Sequence, residues 1–122
     1  MEIRTLKIGK RVWQLVNESW SNSNGWGHKT NVIRNGFDFG ETKTKYLNRT
    51  WESYTYQSNM FKAVNNIKAD ELNRFIGSYK YKNNVDRFKK GEKEQVIKDF
   101  EKTEIARDLN KLYKAIETRQ FS

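Results

Sequence analysis

The chain has 122 residues, no Cys, no Pro and a net charge of +9. That length suits one domain, and the absence of Cys excludes disulfides, thiolate metal sites and a cysteine nucleophile. A mean hydropathy of -1.02 makes the core lean, yet four Trp, six Tyr and seven Phe argue against a disordered chain, because each can bury a large apolar area.

In chain order, residues 10–17 (KRVWQLVN) alternate Val12, Gln14 and Val16 against Trp13 and Leu15. Both sets contain apolar side chains, which suits a central strand. Residues 19–27 (SWSNSNGWG) carry the Ser, Asn and Gly chemistry of a turn or loop, with Trp20 and Trp26 embedded. Residues 28–34 (HKTNVIR) read as a second strand. Asn35-Gly36 follows, the pair favoured in a two-residue hairpin turn that needs positive φ at both positions. Residues 37–46 (FDFGETKTKY) make a third strand, with Phe37, Phe39, Glu41, Lys43 and Lys45 expected on one face. A three-stranded antiparallel meander results.

The second half reads as helical. Asn48 or Thr50 suits an N-cap, and Glu52 falls in the first turn, where a carboxylate meets the positive end of the dipole. Trp51, Tyr54, Ser58, Phe61, Val64 or Asn65, and Ile67 or Lys68 then recur every three or four residues, as on an amphipathic helix. Asp70 opens a further short helix that Gly77 is expected to stop. Residues 78–90 (SYKYKNNVDRFKK) show no clear period. Beyond Gly91 a long helical region carries two apolar groups, Val96, Ile97 and Phe100, then Ile105, Leu109, Leu112 and Ile116.

Catalytic groups are sparse. His28 is the one histidine, and no nucleophile or carboxylate partner is evident beside it. One His without Cys does not make a usual protein zinc site. Asp38, Glu41, Glu52 and Asp86 are scattered, and Asn24-Gly25-Trp26-Gly27 lacks the spacing of a phosphate loop. The chain is therefore expected to be no enzyme and to hold no cofactor or metal.

Candidate binding residues are plentiful. A pI of 9.8 meets the electrostatic criterion for nucleic-acid binding, although the same surplus also keeps a small domain soluble. One basic set, Lys29, Arg34, Lys43, Lys45 and Arg49, lies on or beside the predicted sheet. A second includes Lys80, Lys82, Arg87, Lys89 and Lys90; residues 74–93 hold seven positive charges against two negative, a stretch suited to phosphates. Tyr79 alternates with these lysines, either to stack on unpaired bases or to pack under the helices. Trp20 and Trp26 either fold back onto the core or form an exposed anchor for a partner. The apolar stripe of the last helical region serves the core, a partner or a homodimer.

Residues 46–57 (YLNRTWESYTYQ) concentrate Arg, Trp and Tyr, the side chains that most often carry binding energy at interfaces. The longer segment 40–63 (GETKTKYLNRTWESYTYQSNMFKA) resembles a module of small phage and plasmid proteins of Gram-positive bacteria. In these a β-meander ends in a run that opens a helix, matched here by Tyr46, Asn48, Arg49, Thr50, Trp51, Glu52, Tyr54, Tyr56, Gln57 and Ser58. Some of them resemble anti-CRISPR proteins of type II systems. The resemblance covers about the first 65 residues and has no counterpart for the helical second half. It implies a binding protein of a mobile element, with the type II effector nuclease as partner, with or without its guide RNA. The runner-up is a nucleic-acid-binding accessory or regulatory protein that contacts nucleic acid directly. With a charge of +9, mimicry of DNA phosphates is excluded.

The expectation is an α+β domain over residues 1–122. A β-meander over 1–50 is packed by a helix, and a helical part fills 51–122. No apolar run approaches the roughly 18 residues that span a bilayer. Residues 1–13 lack the apolar core and cleavage site of a signal peptide, so a cytoplasmic location without membrane contact is expected.

Overall fold

In the computed structural model, residues 1–45, 56–83 and 90–121 are described, with the side chains of 44–45, 79–83 and 90–92 excluded. The architecture is α+β: an antiparallel sheet of β1 (Glu2–Ile8), β2 (Arg11–Asn22), β3 (Gly25–Arg34) and β4 (Phe37–Lys45), followed by α1 (Tyr56–Asn83), α2 (Lys90–Glu101) and α3 (Glu104–Thr118). The strands lie in chain order across the sheet. No helix among the described residues is long and apolar enough to cross a membrane.

The meander therefore has four strands where sequence reasoning finds three. β1 escapes the pattern because its apolar residues serve both faces. Ile3 pairs with Val16 on one face, whereas Leu6 pairs with Trp13 on the other. The expected loop at 19–27 is ladder as well, through Ser19↔His28, Trp20↔Gly27, Ser21↔Trp26 and Asn22↔Gly25. Strand pairing overrides the turn-prone Ser and Asn here, as β propensity is weak against context. The Asn35-Gly36 hairpin forms as expected, with φ of 47° and 84°. Its Asn35 also clasps β2: the Asn35 N–H donates to the Val12 carbonyl at 2.9 Å, and the Val12 N–H donates to Asn35 Oδ1 at 2.7 Å.

β4 departs from simple alternation. Asn31 pairs with Glu41 but Ile33 with Asp38, so Val32 stands opposite two residues, Phe39 and Gly40. This is a β-bulge, and Gly40 takes the positive φ (106°) that a side chain would resist. The extra residue switches faces. Phe39 packs into the core and stacks on Trp13 at 5.5 Å, while Glu41 and Lys43 move to the opposite face, across from Asn31 and Lys29. Phe37, Phe39, Glu41, Lys43 and Lys45 thus do not share one face as alternation suggests.

One face of the sheet is covered by helices. Trp13, Leu15 and Val32 meet Met60, Ala63, Val64 and Ile67 of α1 and Leu109, Leu112 and Ile116 of α3. The expected helix start near Trp51, with Asn48, Thr50 and Glu52, lies outside the described residues. The expected stop at Gly77 is corrected: α1 runs through it to Asn83, and its last turns hold Tyr79, Lys80 and Lys82. A mid-helix glycine costs only about 1 kcal/mol, and Phe75 is held near it against Phe100 of α2 at 5.7 Å. The long helical region after Gly91 breaks at Thr103, whose hydroxyl caps α3 by accepting from the Ala106 N–H. The break lets Phe100 serve α1 while the second apolar group serves the sheet.

Two polar clusters lock these layers. Between sheet and α1, Thr30 Oγ1 donates to Asn17 Oδ1 at 2.8 Å, and Asn59 Nδ2 donates to Thr30 Oγ1 at 2.8 Å. All three are buried. Between sheet and α3 stands Asp108, only 1% exposed. Arg11 grips it bidentately, Nε to Oδ2 at 2.6 Å and an Nη to Oδ1 at 2.9 Å. Trp13 Nε1 donates to the same carboxylate at 3.0 Å. Burial by itself pushes the Asp108 carboxyl up, but the hydrogen bonds from Arg11 and Trp13 and the charges of Arg11 and Lys111 outweigh it, so its pKa stays below the ordinary range.

A depressed carboxylate stabilises the fold at every pH above its unfolded value, about 4, and that stability is lost as pH falls through the lower folded pKa. Urea denaturation should therefore show the wild type weakening below about pH 4. Asp108→Ala should cost about 3 kcal/mol at neutral pH, because it leaves Trp13 Nε1 buried without an acceptor, and should flatten that acid limb. Gly77→Ala makes the opposite test. No heavy atom lies within 4 Å of the Cβ it would add, so the variant should gain about 0.5–1 kcal/mol by the same denaturation, whereas a glycine that stops a helix would make alanine destabilising.

Candidate binding surface

The sheet cations expected to meet phosphate are divided and largely engaged. Lys29 and Lys43 lie on the face away from the helices, beside Glu18 and Glu41. Lys29 Nζ is 3.1 Å from Glu18 and 3.9 Å from Glu41, and Lys43 Nζ is 3.5 Å from Glu41. The hydrogen bond to Glu18, with its charge, holds the Lys29 pKa above the ordinary value. The result is a row of alternating sign rather than a basic patch. Arg34 sits on the other face, its guanidinium over the rings of Trp13 and Phe39 at 5.4 and 5.2 Å, where it caps the aromatic edge of the core.

The two expected anchor tryptophans also separate. Trp20 lies on the open face opposite Gly27, with Lys43 Nζ 5.9 Å from its ring centre. Alternation places Trp26 on the helix side with His28, whose ring lies 4.4 Å from Tyr56 of α1. Both are half-buried, so they form no single exposed anchor.

Lys45 ends β4 and Lys90 opens α2, while Tyr79, Lys80 and Lys82 lie near the end of α1. The side chains of these five, and all of Arg49, Arg87 and Lys89, lie outside the described residues. Tyr79, Lys80 and Lys82, from the stretch that shows no clear period in sequence, are helical.

A different basic surface comes together between β1 and α3. A groove of about 400 Å³ is lined by Lys7 and Gly9 on the strand side and by Lys111, Lys114, Thr118 and Gln120 on the helix side. None of its lining residues is Asp or Glu. The nearby acids are engaged: Asp108 and Glu104 both pair with Arg11, at 2.6 and 3.3 Å. Arg107, Lys111 and Lys114 are exposed and form no ion pair among the described residues. Their spacing of four and three residues puts them along one flank of α3.

Sequence reasoning missed this groove. The stripe of Arg107, Lys111 and Lys114 is legible as a helix flank, but Lys7 lies more than 100 residues away, on the strand that escaped detection. Among the described residues, no three His, Asp or Glu side chains cluster as metal ligands do. No protein-family model matches the chain, and no curated protein or solved structure proves similar to it.

The partition of charge is measurable on a heparin column eluted with salt. Lys111→Ala with Lys114→Ala should elute the chain at clearly lower salt. Lys29→Ala with Lys43→Ala should shift elution less, because those cations are already partly neutralised by Glu18 and Glu41.

Proposed function

We propose that this chain is a non-enzymatic protein of a mobile genetic element that acts by binding, and that its target is the type II RNA-guided effector nuclease. The acid-free groove between β1 and α3 is the observation that carries the binding part of this reading. It offers Lys111 and Lys114, which form no ion pair among the described residues, to an acidic surface, while Lys29 and Lys43 on the sheet are paired with Glu18 and Glu41. The target comes from the resemblance of residues 40–63 to small phage and plasmid proteins, some of them similar to anti-CRISPR proteins. A chain of net charge +9 meets such a ribonucleoprotein on guide RNA, on bound DNA or on an acidic protein face. Arg49, Trp51 and Glu52, at the centre of the resemblance, lie outside the described residues.

A second reading, a nucleic-acid-binding accessory protein, draws on the exposed cations of α2, α3 and the turn between them: Lys93, Lys98, Lys102, Arg107, Lys111 and Lys114. Such a protein binds naked RNA or DNA with an affinity that falls steeply with salt.

Size-exclusion chromatography of the chain with an effector nuclease, with and without guide RNA, beside a DNA-cleavage assay, separates the two. Co-elution with loss of cleavage is expected, and dependence on the guide would show RNA in the epitope. Normal cleavage by effectors from several Gram-positive hosts, with salt-sensitive binding of free nucleic acid, would transfer the assignment to the accessory protein.

A further inference from the structure

β1 is an edge strand with one side in use. Its ladder to β2 runs without a break from Glu2↔Asn17 to Ile8↔Arg11, and among the described residues no strand pairs with its other side. The opposite edge of the sheet, β4, is interrupted by the bulge at Gly40. Bulges and edge cations are the usual protections against unwanted pairing. β1 has no bulge, and its protection is charge alone, a net of one positive from Glu2, Arg4 and Lys7, with Arg4 paired to Glu2 at 2.8 Å. With the lysines of α3 beside it, this edge favours an acidic strand over a second copy of β1.

The groove beside this edge has the same preference. Lys111 and Lys114 stand about one helical turn apart along it. A phosphate backbone would match these charges, but phosphate only accepts hydrogen bonds, and a strand edge presents carbonyls as well as N–H groups. An extended peptide satisfies both. Its side chains would alternate, one set towards α3 and its lysines, the other continuing the open face. On that open face Ile3 is 49% exposed beside Val16, so the second set meets apolar surface.

We infer that β1 accepts an extended acidic segment of a partner protein as a fifth strand, with alternate carboxylates on Lys111 and Lys114 and β-branched residues between them. This rests on the reading that the chain acts by binding, and it names the protein component of the target as the contact.

The probe is a fluorescein-labelled peptide alternating Glu and Val, titrated into the full chain by anisotropy and by amide NMR. Controls are the same peptide N-methylated at alternate amides, a Lys/Val peptide and oligothymidylate. Expected are saturable binding of the Glu/Val peptide, shifts centred on residues 2–8, and a loss of at least about tenfold on N-methylation or in Lys111→Glu with Lys114→Glu. Thermal melting establishes that this double variant folds. No binding of the Glu/Val peptide, equal binding of the N-methylated form, or shifts away from β1 would overturn the inference. Oligothymidylate bound through the same lysines in place of the peptide would overturn it too, and would give the groove to phosphate. Peptide binding without effector inhibition would keep the fifth strand and discard the proposed target.

Discussion

Asp108 holds a negative charge where water cannot reach it, and the joint between sheet and last helix is built around that fact. A carboxylate buried on its own would take up a proton or stay out of the core. Here Arg11, at the start of β2, and Trp13, two residues on, both donate to it. One side chain on α3 thereby fixes the position of the strand that runs through the middle of the meander. Trp13 in turn stacks on Phe39, and Arg34 closes over both rings. The bulge at Gly40 is what lets Phe39 take part while Glu41 and Lys43 face the other way.

The same arrangement governs the surface. Because Arg11 meets Asp108 and Glu104, the acids of α3 nearest β1 are spent inside the molecule. Arg107, Lys111 and Lys114 remain exposed on that flank, and among the described residues no Asp or Glu lines the groove between α3 and β1. On the far face of the sheet, strand register sets Lys29 between Glu18 and Glu41. Among the described residues the open face of the sheet thus carries a balanced row, and the groove at its edge carries unbalanced positive charge. Long-range attraction to an acidic partner belongs to the second, since mixed rows of exposed charge cancel beyond a Debye length.

Composition and local pattern determined a good deal. They gave the α+β class, the Asn35-Gly36 hairpin, three of the strands and both apolar groups of the C-terminal helices, because period and turn chemistry act over a few residues. They failed wherever a distant partner decides. β1 is a strand because β2 lies beside it, residues 19–22 and 25–27 are ladder because they face each other, and Gly77 stays helical in a helix whose Phe75 meets Phe100 of α2. No window of sequence contains those partners. The basic groove is the same kind of fact: Lys7 and Lys111 become neighbours only when Asp108 has brought α3 to the sheet, so charge content was written in the sequence and its placement was decided by the fold.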